Sequence, residues 1–337
     1  MVTSVCNPLC LKRGANSYAK NESNTHKMKK RLLFILTCTV LLAAGCGDTD
    51  KPDENTGGGS GTGGGTADRL ITHLDITYTS TDGIDATERC TFTYDELKRL
   101  TVLERRYVEE GRYEDGCTLT YDYSVPNAIV FSVAYEEDGE PFRVTTTARL
   151  DAAVRLASYH WRRCIDAPGS GSEELTDIVS TASYNDAGEL ISVLSEPSPQ
   201  GMSDNTYFTW RDGNMVSARQ GSQTDTATYG VRANDKTNLD LNWLLYGTES
   251  FCTLLGNDDD GINFPLIDRM GNRSRGYLET TCLDLSQGGS EIRRYDYTFD
   301  ADGYPTRIVC TVETKYDPSG SMQDETETIT YTISYDN

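Results

Sequence analysis

The seven residues at 299–305, Phe-Asp-Ala-Asp-Gly-Tyr-Pro, carry the signal that decides the fold. An aromatic residue ends a strand, Asp300 caps a type I turn, and Gly303 takes the left-handed conformation of a bulge, so the segment predicts a tight β-hairpin. Related segments begin at Tyr94, Tyr135, Tyr184, Trp210 and Tyr316, with a lysine replacing the glycine in the first and one residue fewer in the fourth. The spacing of these segments is irregular, which favours hairpins of unequal length over a repeat of fixed period.

Between the turns, the chain alternates apolar and polar residues at a period of two. The clearest case is 328–335, Thr-Ile-Thr-Tyr-Thr-Ile-Ser-Tyr, which is rich in β-branched and aromatic residues. We therefore predict an all-β domain, a single large antiparallel meander of about 12–16 strands that curves strongly toward an open barrel. One segment breaks the alternation and predicts a short helix near 239–246, plugging one end of the sheet, with Asn238 available as its N-cap and Gly247 as its stop.

The N-terminal part predicts export and lipid anchoring. Residues 28–45 contain a cationic start and an apolar run of about 13 residues, too short to span a bilayer, which takes roughly 20. Small residues precede Cys46, so this segment resembles a bacterial lipoprotein signal peptide and Cys46 is the predicted site of lipidation. Residues 1–27 are interpreted as a translation start assigned too far upstream. The Gly-rich stretch at 46–67 is a flexible tether, and 68–337 is the single all-β domain.

Composition limits the partners. The chain has 31 Lys and Arg and 52 Asp and Glu; residues 1–45 hold seven and one of these, which leaves a net charge of −27 from Cys46 onward. So acidic a surface repels phosphate backbones, and nucleic acid is excluded as a partner. The predicted partners are the membrane, through the N-terminal lipid, and a glycan or an envelope protein.

The six cysteines beyond the anchor raise the question of disulfides. The hairpin register places Cys282 and Cys310 on either side of Arg294, and Cys90 and Cys117 on either side of Glu104. Two strand spacings separate each pair by about 9.5 Å, beyond the roughly 7 Å that a disulfide tolerates. We expect these four to be small buried hydrophobic residues, and the pairing of Cys164 and Cys252 stays open.

Several segments together resemble an uncharacterised Bacteroidetes lipoprotein domain with a porin-like fold, and the Tyr-Asp-x-x-Gly turns are similar to the YD units of larger surface proteins. The resemblance is carried by Asn-Leu-Asp-Leu-Asn at 238–242, Gly-Asn-Arg-Ser at 271–274, the stretch 299–308 and the closing strand 329–335. It would cover most of 68–337. It implies a fold and an envelope location on the outer membrane but no activity, and the choice between the periplasmic and the cell-surface side stays open.

Candidate chemistry is sparse, and we predict no catalytic residues, no metal site and no cofactor. Ser274 does not fit a nucleophile elbow, and the acidic loop 258–261 does not match an EF-hand. The abundant carboxylates offer no distinguishable pair for glycoside hydrolysis. Trp161, Trp210 and Trp243 are candidates for a ligand platform, with core packing as the alternative.

The sequence thus predicts a non-enzymatic surface binding or scaffold protein. The alternative is a polysaccharide hydrolase that uses a carboxylate pair.

Overall fold

The structure is a computed structural model, and it describes residues 69–80, 85–109, 112–137, 140–167, 171–196, 205–221, 223–246, 266, 268–284, 289–316 and 324–336. All of them belong to one compact unit, Ser60–Asn337. Cys46, the signal peptide, the tether, Cys252 and the acidic loop 258–261 lie outside the described residues.

Sixteen antiparallel strands form a closed barrel in which every strand pairs with its neighbours in sequence, and β1 pairs with β16. The strands are β1 Ile71–Ser80, β2 Asp85–Tyr94, β3 Leu100–Glu109, β4 Arg112–Asp122, β5 Ala128–Glu137, β6 Glu140–Leu150, β7 Leu156–Ala167, β8 Gly171–Tyr184, β9 Leu190–Ser195, β10 Thr206–Arg211, β11 Asn214–Gln220, β12 Gln223–Ala233, β13 Gly276–Asp284, β14 Gly289–Phe299, β15 Pro305–Tyr316 and β16 Glu325–Tyr335. This confirms the predicted antiparallel meander. Closure goes beyond the prediction and removes both sheet edges, which would otherwise template aggregation.

The inner and outer faces of the barrel wall, which the sixteen strands form, carry different kinds of side chain. On β16, Ile329, Tyr331 and Ile333 are buried and face the interior, whereas the threonines between them lie on the outer face. Strand β14 follows the same rule, since Tyr295 is buried while its neighbours Arg294 and Asp296 are exposed. The period of two therefore separates a mainly apolar interior from a mainly polar outer wall. The inner face also carries charge, since Glu291 and Arg293 of β14 are buried as an ion pair.

The predicted short helix, α1 (Leu241–Tyr246), is completely buried. The ring of Trp243 meets Phe208 of β10 edge-on at 5.7 Å between centroids. The side chain of Asn242 donates to the carbonyl of Gly276 at 2.8 Å and accepts from the amide of Leu278 at 2.9 Å, which ties the helix to β13. The helix thus occupies the barrel interior, and the plug prediction is confirmed in its position.

Aromatic side chains connect neighbouring strands by hydrogen bonds at the rim of the barrel where the described turns lie. Each donates a hydrogen bond to the carbonyl of the first residue of an odd-numbered strand, over 2.7–2.8 Å. The pairs are Tyr94 with Ile71, Tyr123 with Leu100, Tyr184 with Leu156, Trp210 with Leu190, and Tyr335 with Pro305. In each pair, an aromatic residue near the end of an even-numbered strand therefore fastens that strand to the start of the strand before it.

The turns have the geometry that their sequences predict. The carboxylate of Asp300 accepts the amides of Asp302 and Tyr304 at 3.1 and 2.9 Å, and this hydrogen bonding lowers its pKa. Gly303 has a φ of 87°, and the register shifts by a bulge beside Phe299. One turn of this type has no aromatic or glycine signal in its sequence: at 151–155, Val154 occupies the left-handed position with a φ of 61°.

The cysteine register needs a correction. Cys90 and Cys117 both lie opposite Arg105, one residue away from the predicted Glu104. On β13 and β15, Cys282 lies opposite Ile292 and Cys310 opposite Tyr295 of the strand between them, so neither falls directly opposite Arg294. The bulges shift the register that simple counting assumed.

As predicted, one strand lies between the two cysteines of each pair: β3 between Cys90 and Cys117, and β14 between Cys282 and Cys310. Cys90 and Cys310 are fully buried, as expected, whereas Cys117 and Cys282 are half-buried. Burial also raises the pKa of the Cys90 thiol.

Candidate functional site: a groove between two splayed strands

The segment between β12 and β13 brings together the two motifs on which the resemblance rests. Arg273 donates to the carbonyl oxygens of Thr237 and Asn238 at 2.6 and 2.8 Å. The same guanidinium forms an ion pair with Asp268 at 2.5 Å. Burial raises the pKa of Asp268 to about 6, while Arg273 opposes the shift. The Asn-Leu-Asp-Leu-Asn and Gly-Asn-Arg-Ser motifs therefore position the plug.

The N-cap of α1 is Asp240, so the prediction of Asn238 was wrong. The carboxylate of Asp240 accepts the amide of Asn242 at 3.1 Å and the side-chain amide of Asn234 at 2.9 Å. Burial raises the pKa of this carboxyl group. Asn238 Oδ1 instead accepts a hydrogen bond from the amide of Ile71 at 2.9 Å, so its side chain is engaged at the barrel rim.

Strands β11 and β12 splay apart. They pair only between 217–220 and 223–226. Beyond that point, side chains replace the ladder: the amide of Met215 donates to Ser274 Oγ at 3.1 Å, and its carbonyl accepts the hydroxyl of Tyr229 at 2.5 Å. The amide of Gly276 similarly donates to Asn214 at 3.0 Å. The split in the wall is therefore held by buried and partly buried polar contacts.

A groove with a volume of about 540 Å³ occupies this split. Its lining includes Thr209 and Arg211 of β10, Ser217 of β11, and Thr226, Thr228 and Tyr229 of β12. Four of these residues are exposed: Thr209 and Arg211 of β10, and Thr226 and Thr228 of β12. The groove therefore opens on the outer face of the barrel. Hydroxyl groups and one guanidinium thus face a concave space from three neighbouring strands.

An exposed aromatic residue continues the β10 face beyond the groove. Tyr207, with 42% of its surface exposed, lies two residues before Thr209 on the same face. The guanidinium of Arg219 stacks on its ring at 5.0 Å from the centroid. Ile191 and Leu194 of β9 are also exposed nearby in the strand order. This part of the wall is therefore the one where exposed apolar side chains adjoin a groove.

Trp210 and Trp243 lie in different environments. Trp243 is buried in α1, and Trp210 is half-buried, with its ring nitrogen donating to the carbonyl of Leu190 at 2.7 Å. Trp161 pairs in register with Thr146 and Ile178, but its side chain lies outside the described residues. The structure thus does not bring Trp210 and Trp243 together on one exposed face, and the tryptophan platform stays a prediction.

Two charged pairs lie on the inner face. Arg105 Nε binds Glu88 Oε1 at 2.6 Å, and Arg293 Nε binds Glu291 Oε1 at the same distance. Both glutamates are thus neutralised by arginine, which is not the arrangement of a catalytic acid and nucleophile. The described residues provide no observation in favour of the hydrolase alternative. They also contain no group of three or more His, Cys, Asp or Glu residues arranged to hold a metal ion.

The sequence offered no usable signal for the groove. Thr209, Thr226 and Thr228 look like the polar face of any half-wet strand. The shortened turn after Trp210 is the single local irregularity.

None of the helices among the described residues is long and apolar enough to cross a bilayer.

The fold defines the class first: a sixteen-stranded antiparallel barrel with an internal helix. A solved porin-like protein from Bacteroides uniformis is similar to this chain, with a TM-score of 0.54 and 16% sequence identity. The match covers 78% of this chain and 98% of that one. No protein-family model and no curated protein sequence matches the chain. The porin-like fold that the resemblance implied is therefore supported, while membership of the lipoprotein domain family stays a prediction.

Proposed function

We propose that this protein is a lipid-anchored envelope protein whose barrel lies in aqueous solution rather than in the bilayer. The barrel binds a glycan or an envelope protein. The observation that carries the proposal is the sidedness of the wall. Transmembrane barrels present an apolar band to lipid and a polar interior. Here Ile329 and Tyr331 face inward, whereas Thr330, Arg294 and Asp296 lie outside. Such a wall is stable in water and costly to place in hydrocarbon.

The plug supports a binding role over a transport role. Helix α1 packs against β10 and is fastened to β13 through Asn242. Arg273 and Asp240 add further buried contacts at the base of the plug. Removing this helix from the interior would leave several buried polar groups unsatisfied, each at a cost of about 1–3 kcal/mol. The interior is therefore a core, and ligand recognition falls to the outer surface.

The anchor and the location belong to the same proposal. Lipid on Cys46 and the tether 46–67 would hold the barrel at the outer membrane. The described chain starts at the rim that carries the short turns, where Arg69 forms an ion pair with Asp300 at 2.7 Å and the amide of Leu70 binds Asp336. A Gly-rich tether of about 20 residues would reach on the order of 25 Å, and this reach would leave the outer wall accessible to a partner.

The test compares the lipidated mature chain with a Cys46→Ser chain that is expressed from residue 46, without residues 1–45, so that neither a lipid nor an uncleaved signal peptide holds it to the membrane. We expect the variant to be released without detergent, to sediment as a folded particle and to produce no conductance in planar bilayers. The lipidated chain should remain with the membrane. A Cys46→Ser chain that still requires detergent, or that opens channels, would show that the barrel itself is inserted in the membrane.

A further inference from the structure

We propose that the groove between β11 and β12 binds a saccharide that carries a carboxylate. The inference deepens the proposed function, on which it rests, because a water-facing wall is what makes the groove available. It assigns the site to residues other than the tryptophans. The ligand class follows from the shape of the groove, the chemistry of its lining and its charge.

The groove is formed before any ligand arrives. Tyr229 and Ser274 satisfy both backbone groups of Met215, so the two strands cannot close the gap by pairing at this residue. The amide of Arg275 donates to the carbonyl of Gly213 at 3.0 Å and fixes the end of the split. A binding site that is held open loses little conformational entropy when it is filled.

The lining suits a polyhydroxylated ligand. Thr209, Ser217, Thr226 and Thr228 make no side-chain hydrogen bond within the described part of the chain. Their hydroxyls can each donate and accept, as the hydroxyls of a sugar do. The volume of about 540 Å³ lies within the range of small-molecule sites. The lining also contains Val216, Ala227 and Tyr229, so the groove offers apolar surface beside its hydroxyl groups. A saccharide, which presents both hydroxyl groups and apolar ring faces, fits this mixed lining.

The positive charge of Arg211 in the groove favours a saccharide that carries a negative charge. Arg211 has no ion-pair partner among the described residues, whereas other arginines of the outer wall, such as Arg89 and Arg294, bind Asp75 and Glu313. In a concave site, a guanidinium without an acidic partner attracts anions, and its fork of donors matches a carboxylate. Asp212 borders the same groove and weakens the attraction. The two side chains therefore give variants with opposite expected effects.

The experiment uses the full mature Cys46→Ser chain and isothermal titration calorimetry. The probes are tetrasaccharides of galacturonate, hyaluronan and chondroitin, with the neutral galactose tetramer as the reference. We expect at least one uronate tetramer to bind and the neutral tetramer to bind more weakly. Arg211→Gln should weaken uronate binding about tenfold or more, since a charge-assisted hydrogen bond is lost. Asp212→Asn should tighten it severalfold, and asparagine tolerates the φ of 53° at that position.

Matched variants separate the outcomes. Arg294→Gln removes an exposed arginine from β14, away from the groove in strand order, and should leave binding unchanged. Thr228→Val keeps the shape of the side chain but removes a hydroxyl, and should weaken all saccharides that bind. Equal binding of uronate and neutral tetramers, unaffected by Arg211→Gln, would overturn the proposal. Absence of binding by all four tetramers to a chain that is folded without detergent would overturn it too, and would leave the proposed water-facing barrel standing.

Discussion

The buried ion pair between Arg105 and Glu88 gives the sharpest test of which face of the barrel is buried. Its two side chains are only 11% and 4% exposed, and they meet at 2.6 Å on the inner face. Arg105→Met keeps much of the packing volume but leaves a carboxylate in the core without its cation. Breaking a buried pair in this way costs about 3–5 kcal/mol.

Replacing both partners, as Glu88→Leu with Arg105→Met, removes the buried charge and should be close to neutral or stabilising.

Urea unfolding of the Cys46→Ser chain at pH 7 measures these differences. The control is Arg294→Met on the outer wall, where Arg294 and Glu313 also meet at 2.6 Å but are 49% and 35% exposed. That variant should cost less than about 1 kcal/mol. If the two single variants cost the same, or if the double variant is as unstable as Arg105→Met, the interior position of the Glu88 pair is wrong.

Three further predictions concern strain, pH and the anchor. Val154→Gly should stabilise the barrel by up to about 1 kcal/mol, because a β-branched residue with a φ of 61° is strained. Lys98→Gly should gain less and Asn127→Gly almost nothing, and thermal unfolding of the three variants checks the order. The pKa of Asp268, raised to about 6, means that the folded chain holds this proton more tightly than the unfolded chain. Its contribution to stability should therefore grow as the pH falls from 7 through 6 toward 4, and Asp268→Asn should abolish that rise in urea titrations. Cys46→Ser should abolish metabolic labelling with a fatty-acid analogue; labelling that persists would place the modification elsewhere.

The hairpins could be predicted because their signals are local. The aromatic residue, the Asp or Asn cap and the glycine after it lie within a few positions of one another, as in Tyr184 to Gly188. The turn at Asp151–Arg155 was missed because Val154 holds the place of glycine and no aromatic residue precedes it. Its geometry is imposed by the strands that it joins rather than by its own composition.

Long-range features left no comparable signal. Closure depends on β1 pairing with β16, for example Leu74 with Ile333, and the sequence contains nothing that specifies such a distant partner. The helix was located correctly because its apolar residues break the period of two. Its cap was assigned to the wrong residue because Asn238 is engaged by Ile71 and Tyr94 across the fold. The groove depends on where the β11–β12 ladder stops, which the residues lining it do not encode.

The similarity to a porin-like protein and the proposal of a water-facing barrel are compatible, because a strand ladder does not determine which face meets solvent. Side chains alternate along each strand, so a shift of one residue in the apolar pattern exchanges the two faces without changing any backbone pairing. A comparison of backbones at 16% identity is therefore silent on sidedness. The side chains decide it: Ile329, Tyr331 and Ile333 lie inside while the threonines of β16 lie outside. For the same ladder to span a membrane, these two sets would have to change places, and the ion pair of Arg105 with Glu88 would gain the water that it now lacks.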